Sequence, residues 1–172
     1  MGLAEREAVI EKLLAGYRAY FDINRFDEPE HDGVPLKAEC RFYVHSEKYV
    51  LVKKAKLWEA DSSEFVYLFS MPELTEELFT VCKDYAYREG MKLVNPKEGH
   101  MYSYITPIFV ADTCTPEAKK ALTGCKIYKS FLFSFHGWME FHTGLLLPDT
   151  GEVFTNRAGK ANRTFFTQVC KH

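Results

Sequence analysis

The sequence predicts an α+β domain, with a mixed, mostly antiparallel sheet packed by two long helices and one short helix. Three observations carry this. Apolar residues recur at helical spacing in two long stretches. Strand-like runs with short links lie between those stretches and again after them. Aromatic residues are abundant, with 14 Phe, 10 Tyr and 2 Trp in 172 residues, a content that suits a sheet laid against helices. The expected order is α-β-β-β-α-β-α-β-β-β, in a single domain over residues 1–172.

The first helix is expected over residues 3 to 24. Val9, Ile10, Leu13, Leu14, Tyr17 and Phe21 follow the i, i+3, i+4 spacing, and Glu5, Arg6, Glu11, Lys12 and Arg18 take the other face. A polar loop with two prolines and a glycine covers 27–35. Three strand-like runs follow, at 39–45, 49–58 and 65–69. The last, Phe65-Val-Tyr-Leu-Phe69, is apolar on both faces, as a central strand is. Short links between the three suggest an antiparallel meander.

A second long helix is expected over 73–92, opened by Ser70-Met-Pro-Glu73 as a capping box, with Leu74, Leu78, Val81, Cys82 and Tyr85 buried. Residues 102–111 return to strand, and Pro107 within them argues for an edge position or a bulge. Thr115-Pro116-Glu117 opens a short helix that closes at Gly124. Residues 127–147 are strand-like throughout. A bent strand over 128–147 is preferred to a hairpin tipped at His136-Gly137, because a two-residue hairpin would put Phe133 opposite Glu140 on one face. Pro148–Gly151 reads as a turn, 152–156 as a strand and 163–169 as another. A helix between the third and fourth strands allows a parallel crossover. The order of elements resembles the restriction-endonuclease-like fold in topology, while the Glu-x-Lys pair of its nucleases is missing from Phe65–Phe69, so the nuclease chemistry does not carry over.

A chain of this length can bury roughly 70% of its unfolded surface and needs neither disulfide nor metal to stay folded. Five cysteines in an odd, widely spaced set, with no C-x-x-C pair, fit a reducing compartment. No signal-peptide core and no apolar run of spanning length is found. The expected location is cytoplasmic, with no membrane partner. Net charge is −2 and pI about 6.3, so no basic field draws in nucleic acid.

The segment FSFHGWMEFHTG, residues 133–144, concentrates the chemistry. On one strand, Phe131, Phe133, Phe135, Met139 and Phe141 would face the core, and Ser134, His136, Trp138, Glu140 and His142 the other side. His136 and His142 would then stand about 20 Å apart, too far to share a metal. Glu140 and His142 can converge as an acid–base pair or as two metal ligands, with a third still to be supplied. His136, Glu140 and His142 are thus the candidate catalytic groups. The tail Asn156–Arg163 is rich in cations without P-loop spacing. Trp138, Arg157, Lys160 and Arg163 are the candidate ligand-binding residues, on the expectation that the last strands fold back along the polar row. Lys54, Lys56 and Trp58 share a strand face that could contact single-stranded nucleic acid.

No motif implies a cofactor; the hydrolase reading would take a divalent metal. The expected function is a non-catalytic binding or regulatory module for a small molecule or protein, with homodimerisation through exposed aromatic strands compatible with it. A metal-dependent hydrolase using Glu140 and His142, acting on phosphodiesters, is the alternative.

Overall fold

A computed structural model describes residues 2–49 and 56–171. It is an α+β fold with four helices and an eight-stranded mixed sheet. Helix α1 (Gly2–Tyr17) leads through a tight turn to strand β1 (Asp22–Arg25), then β2 (Leu36–Tyr49) and β3 (Lys56–Leu74). Helix α2 (Glu76–Leu93) crosses to β4 (His100–Cys114), and α3 (Pro116–Thr123) to β5 (Tyr128–Ser130). The chain ends with β6 (Trp138–Phe141), β7 (Gly144–Leu147), β8 (Glu152–Thr155), a 3-10 turn (Lys160–Asn162) and α4 (Arg163–Cys170).

The strand order is β1-β2-β3-β4-β6-β5, with β7 beside β4 and β8 beyond β7. β1, β2 and β3 form an antiparallel meander. β3 and β4 run parallel, joined by the α2 crossover, and β4 is parallel to both β6 and β7. Hairpins β5–β6 and β7–β8 are antiparallel. Period-two alternation sends Phe65, Tyr67 and Phe69 to the face packed by α2 and α3, and Val66 and Leu68 to the face packed by α1 and α4. Both faces of β3 are therefore buried, as its unbroken apolar run requires.

Several expectations need correction. The meander is built differently: the run at 65–69 lies in β3, the expected strand 49–58 contributes Tyr49 to β2 and 56–58 to β3 with 50–55 outside the described residues, and the outer strand is β1, most of it expected as helix. Asp22 and Asn24 are poor helix formers, and pairing with Ala38–Arg41 gives their backbone a partner in the sheet. Phe21 still joins the α1 core, against Tyr17 and stacked on Phe42. Helix α2 is capped by Thr75, whose hydroxyl accepts from the Leu78 N–H at 3.2 Å. Ser70 instead lies in β3 and accepts from buried Arg6, which also pairs with Asp112. Val81 is exposed, and α2 buries Phe79, Cys82, Tyr85, Ala86 and Gly90.

The segment 163–169 is helix, not strand. Phe165, Phe166, Val169 and Cys170 recur at helical spacing, and the last three are buried against α1 and the sheet. The chain thus closes with a fourth helix absent from the expected order. Residues 128–147 are no single bent strand either: β5 and β6 form a hairpin joined by 131–137. The second half of that expectation survives, because β6 and β7 keep one offset along β4, with Phe141 opposite Ile105 and Gly144 opposite Ile108.

Pro107 sits on neither an edge nor a bulge. It pairs with Tyr67 in the middle of the sheet. On the other side, His142 N–H donates to the Ile105 carbonyl at 2.8 Å, and a parallel ladder would next have residue 107 donate to the His142 carbonyl. Proline has no N–H, and the ladder is interrupted there between β6 and β7.

The reassigned cap is testable. Thr75→Ala should lower the unfolding free energy by about 1 kcal/mol through loss of the α2 cap, measured by urea denaturation; an unchanged midpoint would place the helix start elsewhere.

Candidate functional site

Helices α1 and α4 cover only part of their face of the sheet. Their contacts are with Ala38, Cys40, Val66, Leu68, Ile108, Val110 and Leu146. Towards the start of β3 and β4 the same face carries Glu64, Tyr102, Tyr104 and Thr106, joined from β6 by Trp138 and Glu140 and then by His142. All but the buried Thr106 and His142 are half-buried. The polar row expected at 138, 140 and 142 is therefore real, and β4 doubles it.

The rings of the two rows form one continuous series. Trp138 lies 6.1 Å from Tyr102, Tyr102 stacks on Tyr104 at 4.5 Å, and Tyr104 lies 4.3 Å from the His142 ring. In-register pairing of Tyr102 with Trp138 and Tyr104 with Glu140 places them side by side. Burial pushes the Tyr104 phenol up to about 12 and raises the Glu64 carboxyl. Glu64 is held by Thr106, which donates to it at 3.1 Å.

His142 is 7% exposed. Its Nε2 has no hydrogen-bond partner among the described residues, and the nearest carboxylate oxygen, Glu140 Oε2, is 3.8 Å away. That carboxylate would favour an imidazolium, whereas burial opposes it. Burial wins, because 3.8 Å is beyond hydrogen-bond reach and Glu140 is partly solvated; the His142 pKa is lowered to about 4.

The backbone around His142 is held by Asn156. Its Oδ1 accepts from Thr143 N at 3.0 Å and Gly159 N at 2.9 Å, and its Nδ2 donates to the Cys125 and Phe141 carbonyls at 3.0 and 2.8 Å. Thr143 Oγ1 accepts from Asn156 N and donates to the Leu122 carbonyl. Both side chains are buried and fully used. This network brings the tail loop against β6, and Glu140 and Arg157 line one cleft of about 680 Å³ with Gly124, Cys125, Tyr128 and Ala158.

The expected ligand-binding set divides accordingly. Trp138 and Arg157 lie at the ring series and at the cleft. Lys160, in the 3-10 turn, and Arg163, opening α4, are exposed and do not line the cleft. His136 sits in the 131–137 loop, with β6 between it and His142, a separation of about 13 Å or more along the strand. Lys54 lies outside the described residues, as do the side chains of Lys56 and Trp58. Among the described residues no three His, Cys, Asp or Glu side chains gather as metal ligands. Glu140 and His142 stand as a pair.

A model of one protein family, described as a domain of unknown function (DUF8052), matches residues 5–168. The chain belongs to that family. No curated protein and no solved structure matches it.

This DUF8052 chain also holds a second polar cluster that the sequence left as isolated residues. His100 Nδ1 donates to the His136 carbonyl at 2.6 Å, which leaves Nε2 to accept from Ser103 Oγ at 2.8 Å. Ser103 in turn bonds the Ser63 hydroxyl opposite it at 2.7 Å. All three are buried. The cluster ties the 131–137 loop to the two central strands, and its signal in the sequence was only a His-x-x-Ser spacing on β4. The five cysteines are free, and burial raises the pKa of each, to about 12 for Cys40 and Cys82 and about 11 for Cys170. They are inert thiols at neutral pH.

Two outcomes are expected. Asn156→Ala removes two acceptor and two donor contacts in a buried site and should destabilise the fold by about 3 kcal/mol in chemical denaturation. His142 binds its proton less well folded than unfolded, so its contribution is fully present above pH 6.5 and is lost as pH falls through 6.5 towards 4. The loss should amount to about 3 kcal/mol. It should be absent from His142→Gln, and a wild-type pH profile parallel to the variant's would show that His142 is not the group responsible.

Proposed function

We propose that this DUF8052 chain is a non-catalytic binding module of the cytoplasm, and that it takes a small zwitterionic ligand between Glu140 and Arg157. The observation that carries the reading is the unpartnered Nε2 of buried His142, directed towards a carboxylate that lines the neighbouring cleft. Leaving such an atom unpaired costs about 1 to 3 kcal/mol, and a native structure that tolerates it calls for a reason.

A ligand ammonium between the two residues supplies one. It would donate to Glu140 and to His142, the imidazole being neutral at physiological pH and in the tautomer that leaves Nε2 unprotonated. The ring of Tyr104 lies tilted against the imidazole, 4.3 Å between centroids, and limits its orientation. Across the cleft, the exposed guanidinium of Arg157 suits a carboxylate or phosphate, which it can grip with two parallel N–H groups. The ring series beyond adds faces on which a cation or a planar group can lie. The hydrolase reading has no third ligand to draw on among the described residues and is taken no further.

Titration calorimetry of the full chain against a panel of free amino acids tests this. At least one should bind, and Glu140→Gln and Arg157→Ala should each weaken it by about tenfold or more, as loss of a charge-assisted hydrogen bond does. Absence of binding across the panel, or binding indifferent to Glu140→Gln, would remove the cleft from consideration.

A further inference from the structure

The β5–β6 hairpin ends in a segment that the ligand site does not use. Residues 131–137 close through four backbone hydrogen bonds: Phe131 N to the Gly137 carbonyl, His136 N to Phe131, Phe135 N to Leu132 and Gly137 N to Ser134. Three consecutive residues other than glycine stand in the left-handed region, Leu132 at φ 47°, Phe133 at 52° and Ser134 at 72°. That conformation is disfavoured for residues with a Cβ. Gly137, at φ 78°, is required, since a Cβ there would come within 2.3 Å of the Met101 carbonyl. The loop is also pinned from beneath by His100 bonding the His136 carbonyl. It is a built turn.

What it presents is apolar. Leu132 is 60% exposed, Phe133 93% and Phe135 82%, while Phe131 turns inward against the core. Strained backbone that displays apolar side chains to water marks a contact surface. Charge identifies the partner. Between Glu117 and Glu140 the sequence has four lysines, at 119, 120, 126 and 129, and no acidic residue. Lys129, on the strand β5 that leads into the loop, and Lys126, just before that strand, are both exposed. A second copy docking edge to edge along β5 would bring Lys129 against its like, which opposes pairing there.

We propose that the 131–137 loop is a membrane-surface contact, with Leu132, Phe133 and Phe135 inserting at the headgroup level of an anionic bilayer and Lys126 and Lys129 meeting its phosphates. Aromatic and aliphatic side chains at a polar tip, flanked by lysines, combine the two forces that hold a peripheral protein on such a surface. No helix of the described residues is long and apolar enough to cross a membrane, and a surface contact needs none. The absence of a membrane partner expected from the sequence rested on the lack of a signal-peptide core and of a spanning apolar run, neither of which a surface contact needs. The loop's apolar side chains and Lys129 do not line the Glu140–Arg157 cleft, whereas Lys126 does.

The test is cosedimentation of the full chain with vesicles of phosphatidylcholine and phosphatidylglycerol in equal parts, beside vesicles of phosphatidylcholine alone. The wild type should partition onto the anionic vesicles, less so at high salt. Phe133→Ser with Phe135→Ser should reduce that partition by about tenfold or more, with thermal unfolding unchanged because both rings are outside the core. Lys126→Glu with Lys129→Glu should abolish the preference for anionic lipid, and it carries the test if the phenylalanine variant unfolds. No partition of the wild type, or equal partition of all three proteins, would overturn the proposal. So would a wild-type dimer in light scattering that the phenylalanine variant dissociates, since the loop would then serve a second copy.

Discussion

The parallel pairing of β3 with β4, in register from Ser62 and Tyr102 to Leu74 and Cys114, is the constraint on which the rest of the molecule depends. Parallel strands are stable only when both faces are covered. Helices α2 and α3 cover one face along most of its length, whereas α1 and α4 cover the other only where Val66, Leu68, Ile108 and Val110 stand. Because the two strands run the same way, their uncovered beginnings coincide. Glu64, Tyr102, Tyr104 and Thr106 therefore lie together, and β6 adds Trp138 and Glu140 to them. The candidate site exists where helical cover stops.

Pro107 shapes that site from within the sheet. It removes the ladder bond that the His142 carbonyl would otherwise receive, at the residue that separates β6 from β7. The interruption is compensated on the far side, where Asn156 and Thr143 bind the backbone of the tail loop with every donor and acceptor used. Fully satisfied buried networks give a unique arrangement. This one places Gly159 so close that an added Cβ would stand 3.4 Å from that of His142 and 2.9 Å from Asn156 Oδ1. Rigidity below the site contrasts with one unpaired nitrogen within it, and that contrast gives His142 its meaning.

The two polar clusters use histidine in opposite ways. His100 is saturated, with one ring nitrogen on a carbonyl and the other on a serine hydroxyl, and it fixes a loop. His142 is buried without such partners at Nε2, which is why its proton affinity falls. A sequence reader sees two histidines with polar neighbours. Only the partners distinguish an anchor from a vacancy in the hydrogen bonding.

The sequence by itself determined what rests on local spacing and composition. The α+β class, the crossover helix, the cap and closing glycine of α3, the central place of Phe65–Phe69 and the alternation of Trp138, Glu140 and His142 were all legible, since periodicity reports directly which face is apolar. Tertiary structure decided the rest. Residues 22–25 are a strand because β2 offers them partners, and Arg163–Cys170 a helix because α1 and β7 bury its apolar side. Residues 132–135, aromatic enough to read as strand core, face solvent because a left-handed turn and the hold of His100 on the loop end the strand at Ser130. Tyr102 and Tyr104 join the site through register with residues 36 positions later in the chain, and no local pattern encodes such a pairing: it depends on which strand the folded sheet sets alongside.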